Sequence, residues 1–295
     1  MQKQKNTAIW VSHSSIGDFL ACPRLYYIRH IYRNPATKNR VNIITPPLAL
    51  GQTVHVVLES LSTKKAEERL QGESLMDAYN RAWEKVSGER GGFADATEEQ
   101  AYKNRGAIMI NRVMFHPGPL LNKAVKLVSP DSLPPRFYLS EKDDIILCGK
   151  IDWLEYIAQT DSVRIIDFKT GVNEEKTDSL QLPIYALLVK NCQNRKVDGI
   201  SYWYLEKENE PKDMPLPDLE KAKNDILAIA LQMKAAREKG NFVCPKNGCF
   251  HCLPLENIIS GKAKFLYTDD YQDIFASAPK KSDGEKYIVE DSEPF

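Results

Sequence analysis

Residues 163–171, Val-Arg-Ile-Ile-Asp-Phe-Lys-Thr-Gly, deliver an Asp and a Lys, two positions apart, at the end of an apolar run. Side chains at i and i+2 of a strand share a face, so Asp167 and Lys169 are expected side by side. A carboxylate there can hold a divalent cation while the lysine orients water and screens charge, a pairing suited to metal-assisted attack on a phosphodiester. Upstream, residues 145–156 read as a second strand, joined to the first through the short polar segment 158–161. A turn centred between Gln159 and Thr160 sets Asp152 opposite Asp167 and makes Lys150 face Lys169. The other face then collects Ile151, Trp153, Ile166 and Phe168 as a core, and a one-residue slip would bury the charges instead. Two facing carboxylates repel each other, which favours a cation between them.

The elements that must support this pair lie on both sides of it. Residues 178–190 read as a helix with Asp178 as N-cap. On it Gln181 and Tyr185, four apart, stack on one face, and Pro183 falls early, where its cost is reduced. His55 lies in residues 48–61, whose apolar spacing is helical.

In order, Gly149-x-x-Asp152, Asp167-x-Lys169-Thr-Gly171 and Gln181-x-x-x-Tyr185 resemble the PD-(D/E)XK nuclease superfamily. Within it they resemble the RecB-like exonuclease branch, which includes the iron–sulfur nucleases of recombination and CRISPR adaptation. The resemblance runs from His13 to Cys252. It implies an α/β (α+β) restriction-endonuclease-like fold: a central mixed β-sheet flanked by helices, with a helical insertion before the catalytic strands. It implies a metal-dependent DNA nuclease, an exonuclease working at DNA ends in recombination, repair or replication. In that reading His55, in a Gly-x-x-x-His helix, joins Asp152, Asp167 and the main-chain carbonyl of Phe168 as ligands to Mg2+ or Mn2+. Lys169 would orient or activate the attacking water, and Gln181 and Tyr185 would position the strand. The helices around residues 60–120 would wall the DNA path. The alternative is a catalytically silent DNA-end-binding or assembly module with the same fold. A decayed site should have lost some of the acids or the lysine, and here all are intact.

Six cysteines fall into two sets. Cys148 and Cys192 stand alone in apolar contexts and read as buried thiols. Cys244, Cys249 and Cys252 form a dense cluster, and Cys22 sits far upstream in a Cys-Pro-x-x-Tyr segment. Neither a signal-peptide core nor an apolar run of membrane-spanning length is visible, so a cytoplasmic, reducing setting is expected. Metal then becomes a better reading than disulfides. Four thiolates suit zinc or an iron–sulfur cluster equally well. The resemblance implies a [4Fe–4S] cluster on Cys22, Cys244, Cys249 and Cys252 that staples the two ends of the nuclease unit. The spacing departs from the family, whose third cysteine follows the Cys-x-x-Cys; here it precedes it, at Cys244.

Further helices are expected over residues 14–33, opened by Ser15-x-x-Asp18, over 48–87 as a pair divided near Gly72, over 97–115, and over 218–239, stopped by Gly240. A β-rich stretch runs from about 137 to 205, ending in the strand 198–205. The implied division is an extension over 1–13, a nuclease unit over 14–260 and a polar acidic tail over 261–295. With 40 basic and 40 acidic residues the chain carries no net charge, which excludes a general polyanion sponge. Locally, the first forty residues set Lys3, Lys5, Arg24, Arg29, Arg33, Lys38 and Arg40 against Asp18 alone, interleaved with Tyr26, Tyr27 and Tyr32, which suits either phosphate contact with base stacking or a snorkelling helix with core tyrosines. The end Glu-Asp-Ser-Glu-Pro-Phe resembles the acidic tip of bacterial single-stranded-DNA-binding proteins, so Pro294 and Phe295 are candidates for docking a replication or repair protein. A plain solvated acidic end is the other reading.

Overall fold

A computed structural model describes residues 8–69, 74–129, 131–269 and 271–277. Chain order is β1 (Ile9–Val11), α1 (His13–Ala21), α2 (Pro23–Tyr26), β2 (Arg40–Ile44), α3 (Pro46–Ser60), α4 (Leu75–Glu84) and α5 (Ala96–Phe115). There follow β3 (Arg136–Ser140), β4 (Ile145–Cys148), β5 (Trp153–Ile157), β6 (Ser162–Lys169), α6 (Gln181–Cys192), β7 (Val197–Tyr204) and β8 (Lys212–Met214). Last come α7 (Leu219–Lys239), α8 (Leu253–Ile259), β9 (Phe265–Asp269) and β10 (Gln272–Ala276). The architecture is mixed α/β, as expected.

The site is organised by the sheet β5-β6-β7-β8. β6 pairs antiparallel with β5 and parallel with β7, and β8 runs antiparallel to β7, so the sheet is mixed. A strand covered on both faces reads as a nearly continuous apolar run, and residues 163–168 satisfy that on each side. Trp153, Ile166, Phe168 and Trp203 pack into the helical insertion with Leu58, Trp83 and Val113. Leu154, Val163, Ile165 and Ile200 pack against α6 and α7 through Ile184, Leu188, Ile226 and Met233. The hairpin register is the expected one: Trp153 pairs with Ile166 and Leu154 with Ile165. The ladder ends there, and Asp152, one residue before it, bonds the Phe168 N–H beside Asp167.

Residues 145–156 are nevertheless two strands. The chain leaves β4, which pairs with β1 and β3, and enters β5 only at Trp153. Gly149 lies in the break because α6 passes close by; a Cβ there would stand 2.9 Å from Leu188 Cδ1. Two sequence expectations fail as a result. Lys150 turns to Glu59 instead of facing Lys169, and Ile151 packs on the α6–α7 side, away from Trp153.

Prolines explain the other departures. The helix expected over 14–33 is broken at Cys22, whose backbone is extended (φ −167°, ψ 121°), because Pro23 disfavours helical geometry in the residue before it. Its capping box is Ser12 with Ser15, not Ser15 with Asp18. α6 starts at Gln181, so Asp178 is not its N-cap. A start three residues earlier would bring the Pro183 ring against the carbonyl four positions back; as it stands, Pro183 lies in the first turn, where no N–H is needed. α7 is bounded as expected, between the Asp218 cap and left-handed Gly240 (φ 62°).

Within the polar tail expected from residue 261, β9 and β10 are strands and form a sheet with β2, β10 running parallel to it. β1 likewise draws part of the expected N-terminal extension into the fold. Lys3, Lys5, Pro294 and Phe295 lie outside the described residues. Among those described, no helix is long and apolar enough to cross a membrane. The helical insertion is fastened beneath β5 by Arg69, 3% exposed, which donates to the carbonyls of Leu61, Leu120 and Asn122 and lies over the Trp153 ring.

Candidate active site

A cleft of about 370 Å³ opens between α3, the first turn of α1 and the end of β6. Its walls include His55 and Glu59 from α3, Asp152 from the chain break, Asp167, Phe168 and Lys169 from β6, and Gln181 and Tyr185 from α6. Each is aimed there by its element. The i, i+4 spacing on α3 sets His55 and Glu59 on one face, and on α6 it does the same for Gln181 and Tyr185. Leaving the ladder before Trp153 frees the Asp152 carboxylate, whose Oδ2 accepts the Phe168 N–H at 2.9 Å.

Asp167, Lys169 and Gln181 are 2%, 4% and 8% exposed and form a closed ring. Lys169 Nζ lies 3.2 Å from Asp167 Oδ2 and donates to Gln181 Oε1 at 2.7 Å. Gln181 Nε2 donates to Asp167 Oδ1 at 2.8 Å and to the Tyr185 hydroxyl at 3.3 Å. Because that hydroxyl accepts, its own proton remains available to a ligand. Burial, with Asp167 and Asp152 nearby, raises the Tyr185 phenol well above its usual value, so it stays protonated.

His55 Nδ1 lies 3.4 Å from Asp152 Oδ2 and 3.8 Å from Glu59 Oε1. Burial alone would lower the imidazole pKa; the Asp152 carboxylate, Glu59 and Asp167 outweigh it and push it up to about 10. Burial would likewise raise the Asp152 carboxyl, but His55, the Phe168 N–H and Lys169 hold it below the usual carboxylate range. An imidazole and two carboxylates, with ligand atoms all within 4.8 Å of one another, form a donor set for a hard divalent cation. Asp167 stands beside them on the same cleft, turned toward Lys169 and Gln181.

Sequence reasoning missed three residues here. Glu59 was open to discovery, one helical turn after His55. Glu175, on the loop after β6, bonds Lys169 Nζ at 2.9 Å, and no periodicity marks it. His13 opens α1 and lines the cleft. Burial, then Lys169, pulls its imidazole down to about 4 against the pull of Glu175, so it is neutral at ordinary pH.

A family model of the PD-(D/E)XK nuclease superfamily matches residues 10–253. The chain belongs to that superfamily. No curated protein matches it.

A second group in this PD-(D/E)XK chain brings Cys22, Cys244, Cys249 and Cys252 together, their Sγ atoms all within 4.8 Å of one another. Cys22 comes from the break between α1 and α2. The other three come from a turn through Asn247 and Gly248, both at positive φ, and from the start of α8. They sit in an apolar cluster with Leu25, Ile28, Val41 and Leu255. Burial opposes ionisation of Cys244, yet the Gly248 and Lys246 N–H groups, with Cys22 and Cys249, pull it down to about 6. Burial, then Cys249 and Cys244, pushes Cys252 up to about 12 despite a backbone hydrogen bond. Cys148 and Cys192 stay apart and are half-buried.

Of the described cations and tyrosines in the basic, tyrosine-rich segment only Tyr26 is buried; it stacks on His30 and stands edge-on to Phe19. Arg29 pairs with Asp18 at 3.0 Å and Arg24 with Glu256 of α8, whereas Tyr27 and Tyr32 are half-buried and Arg33, Lys38 and Arg40 are exposed. Tyr26 follows the core reading, and the exposed cations leave the phosphate reading open.

Proposed function

We propose that this chain is a Mg2+- or Mn2+-dependent deoxyribonuclease, an exonuclease hydrolysing phosphodiester bonds at DNA ends in recombination, repair or replication. One observation carries the reading: Asp152, Asp167 and Lys169 surround one cleft, with His55 against Asp152 and Gln181 bridging Asp167 to Lys169. His55, Asp152, Asp167 and the Phe168 carbonyl would hold the cation, and Glu59 is close enough to join them. A divalent cation there lowers the pKa of bound water and neutralises charge developing on the phosphate. Lys169 orients the attacking water and screens the phosphate. Gln181 fixes Lys169 and Asp167 relative to each other, and the Tyr185 hydroxyl donates to the DNA strand. The nuclease unit takes in β1 and the β9–β10 hairpin, and a reducing cytoplasm suits its free thiols.

For the four-thiol centre, the resemblance supports a [4Fe–4S] cluster. A specific observation favours zinc as the second reading: a ZnS4 tetrahedron has edges of about 3.8 Å, and the four sulfurs here lie within 4.8 Å of one another. Iron, sulfide and zinc content of anaerobically purified protein decides between them.

The nuclease reading is tested on end-labelled single- and double-stranded DNA with Mg2+ or Mn2+. Wild type should shorten the substrate from its ends. Asp167→Ala and Lys169→Ala should abolish cleavage, and Lys169→Ala should still bind DNA. DNA-end binding without cleavage by wild type would leave only the silent end-binding module; a fully active Lys169→Ala would refute the assigned site.

A further inference from the structure

An ammonium has three N–H donors. Lys169 Nζ donates to Gln181 Oε1 at 2.7 Å and to Glu175 Oε1 at 2.9 Å, and Asp167 Oδ2 stands 3.2 Å away as an ion-pair partner. Their circumstances differ. Asp167 is also a cation ligand in the reading above, so its carboxylate has a competing use. Gln181 is fixed by α6 and by its second bond to Asp167. Glu175 has no regular element to hold it, yet it is placed with care.

The Glu175 backbone N–H donates to the Tyr204 hydroxyl at 3.0 Å, and Tyr204 is the β7 partner of Lys169 in the sheet register. The loop is thus tied to the same rung of the sheet that carries the lysine. Its neighbour Glu174 turns outward to Lys212, while the Glu175 side chain is 19% exposed and turned in. Burial would raise the Glu175 carboxyl; Lys169, then Ser179 and His13, outweigh it and hold it below its ordinary value, so it remains an acceptor.

We infer that Glu175 is a positioning residue: it keeps the Lys169 ammonium aimed into the cleft when Asp167 turns to a cation. Two N–H groups then stay on Glu175 and Gln181, and the ammonium stays turned toward the cleft, where it can meet water or a phosphate oxygen. Without Glu175 the ammonium loses its carboxylate partner on the loop and swings more widely on its four-carbon stem. This inference rests on the nuclease reading for its consequence, but not for its geometry.

The test compares Glu175→Ala and Glu175→Gln in the full chain. Loss of a group that orients a working side chain typically costs 10–100-fold. Glu175→Ala should lower kcat about tenfold or more, with KM for DNA and Tm little changed; Glu175→Gln, which keeps an acceptor, should recover most of it. A second readout needs no activity. The 15N ammonium resonance of Lys169, held in slow exchange by its bonds to Glu175 and Gln181, should vanish in Glu175→Ala and persist in Glu175→Gln. Unchanged kcat in Glu175→Ala, a glutamine variant as impaired as the alanine one, or a persisting ammonium signal in Glu175→Ala would each overturn the inference. If Glu175→Ala fails to fold, the glutamine variant alone decides through kcat and the ammonium signal. A wild type that cleaves nothing while the signal follows this pattern would uphold the positioning role and remove the nuclease reading.

Discussion

His55 is expected to give up a proton when a cation enters the cleft. In the metal-free protein, burial disfavours the imidazolium, but the Asp152 carboxylate, Glu59 and Asp167 prevail and hold its pKa at about 10. Only neutral imidazole can ligate a metal. At about pH 7 the neutral fraction is then roughly one in a thousand, which costs a ligating cation about 4 kcal/mol. That cost shrinks by about 1.4 kcal/mol for each pH unit gained. Apparent Mn2+ affinity should therefore climb about tenfold per unit from about pH 7 to 8.5, with about one proton released per ion bound. Stability of the metal-free protein runs the other way. The raised pKa stabilises the fold fully below the ordinary value of 6.5 and ceases to do so as pH climbs through about 10.

Free Mn2+ followed by EPR gives the affinity, and an indicator dye in weakly buffered solution counts the protons; neither measurement requires DNA or turnover. His55→Gln removes the competing proton, so its affinity should be nearly flat over the same range. Wild-type affinity independent of pH, with no proton released, would refute either the ligand role or the charged state assigned to His55.

Arg69→Met should destabilise the chain by about 3 kcal/mol, because it leaves the Leu61, Leu120 and Asn122 carbonyls without their charged donor in a buried site. Urea unfolding measures this, and a loss under about 1 kcal/mol would mean that water takes over those carbonyls. Cys249→Ser should empty the thiol centre of its metal and lower Tm on the order of 10 °C, a few kcal/mol expressed as temperature; full metal content with an unchanged Tm would refute the four-cysteine site.

What was legible in the sequence was whatever local periodicity controls. The apolar run of residues 163–168 and a short polar connection sufficed for the hairpin register of Trp153 with Ile166, and the spacing on α3 and α6 sufficed for the faces bearing His55, Gln181 and Tyr185. The misreadings arose where a non-local contact decides the backbone. Nothing in residues 145–156 announces that α6 crosses at Gly149, so the break that frees Asp152 and redirects Lys150 and Ile151 was hidden. Pro23 and Pro183 were visible, but their effects on Cys22 and on the start of α6 were underestimated. Glu175 lies in a loop whose course is set by the Tyr204 hydroxyl, twenty-nine residues downstream, and β9–β10 looks polar because β9 is largely exposed and only the middle of β10 is buried.

The cysteine group and the cleft are two ends of one helix. Ser12, His13 and Ser14, at the start of α1, line the cleft, and the same helix ends on Cys22. Its nine residues span roughly 13 Å at 1.5 Å each, so a shift at the thiols is carried to the cleft as the movement of a rigid rod. Two other fastenings close the same ends of the chain: the Arg24–Glu256 pair and the parallel pairing of β2 with β10. Emptying the centre should thus leave the ends joined while freeing the base of α1. The wall that moves carries His13, beside Lys169 and Glu175. The His55–Asp152 pair stands instead on α3 and on the chain break before β5, and the apolar cluster around the thiols takes no residue from either. Cys249→Ser should therefore impair cleavage while Mn2+ affinity stays near that of wild type. A parallel loss of Mn2+ affinity would mean that the two centres share more than α1.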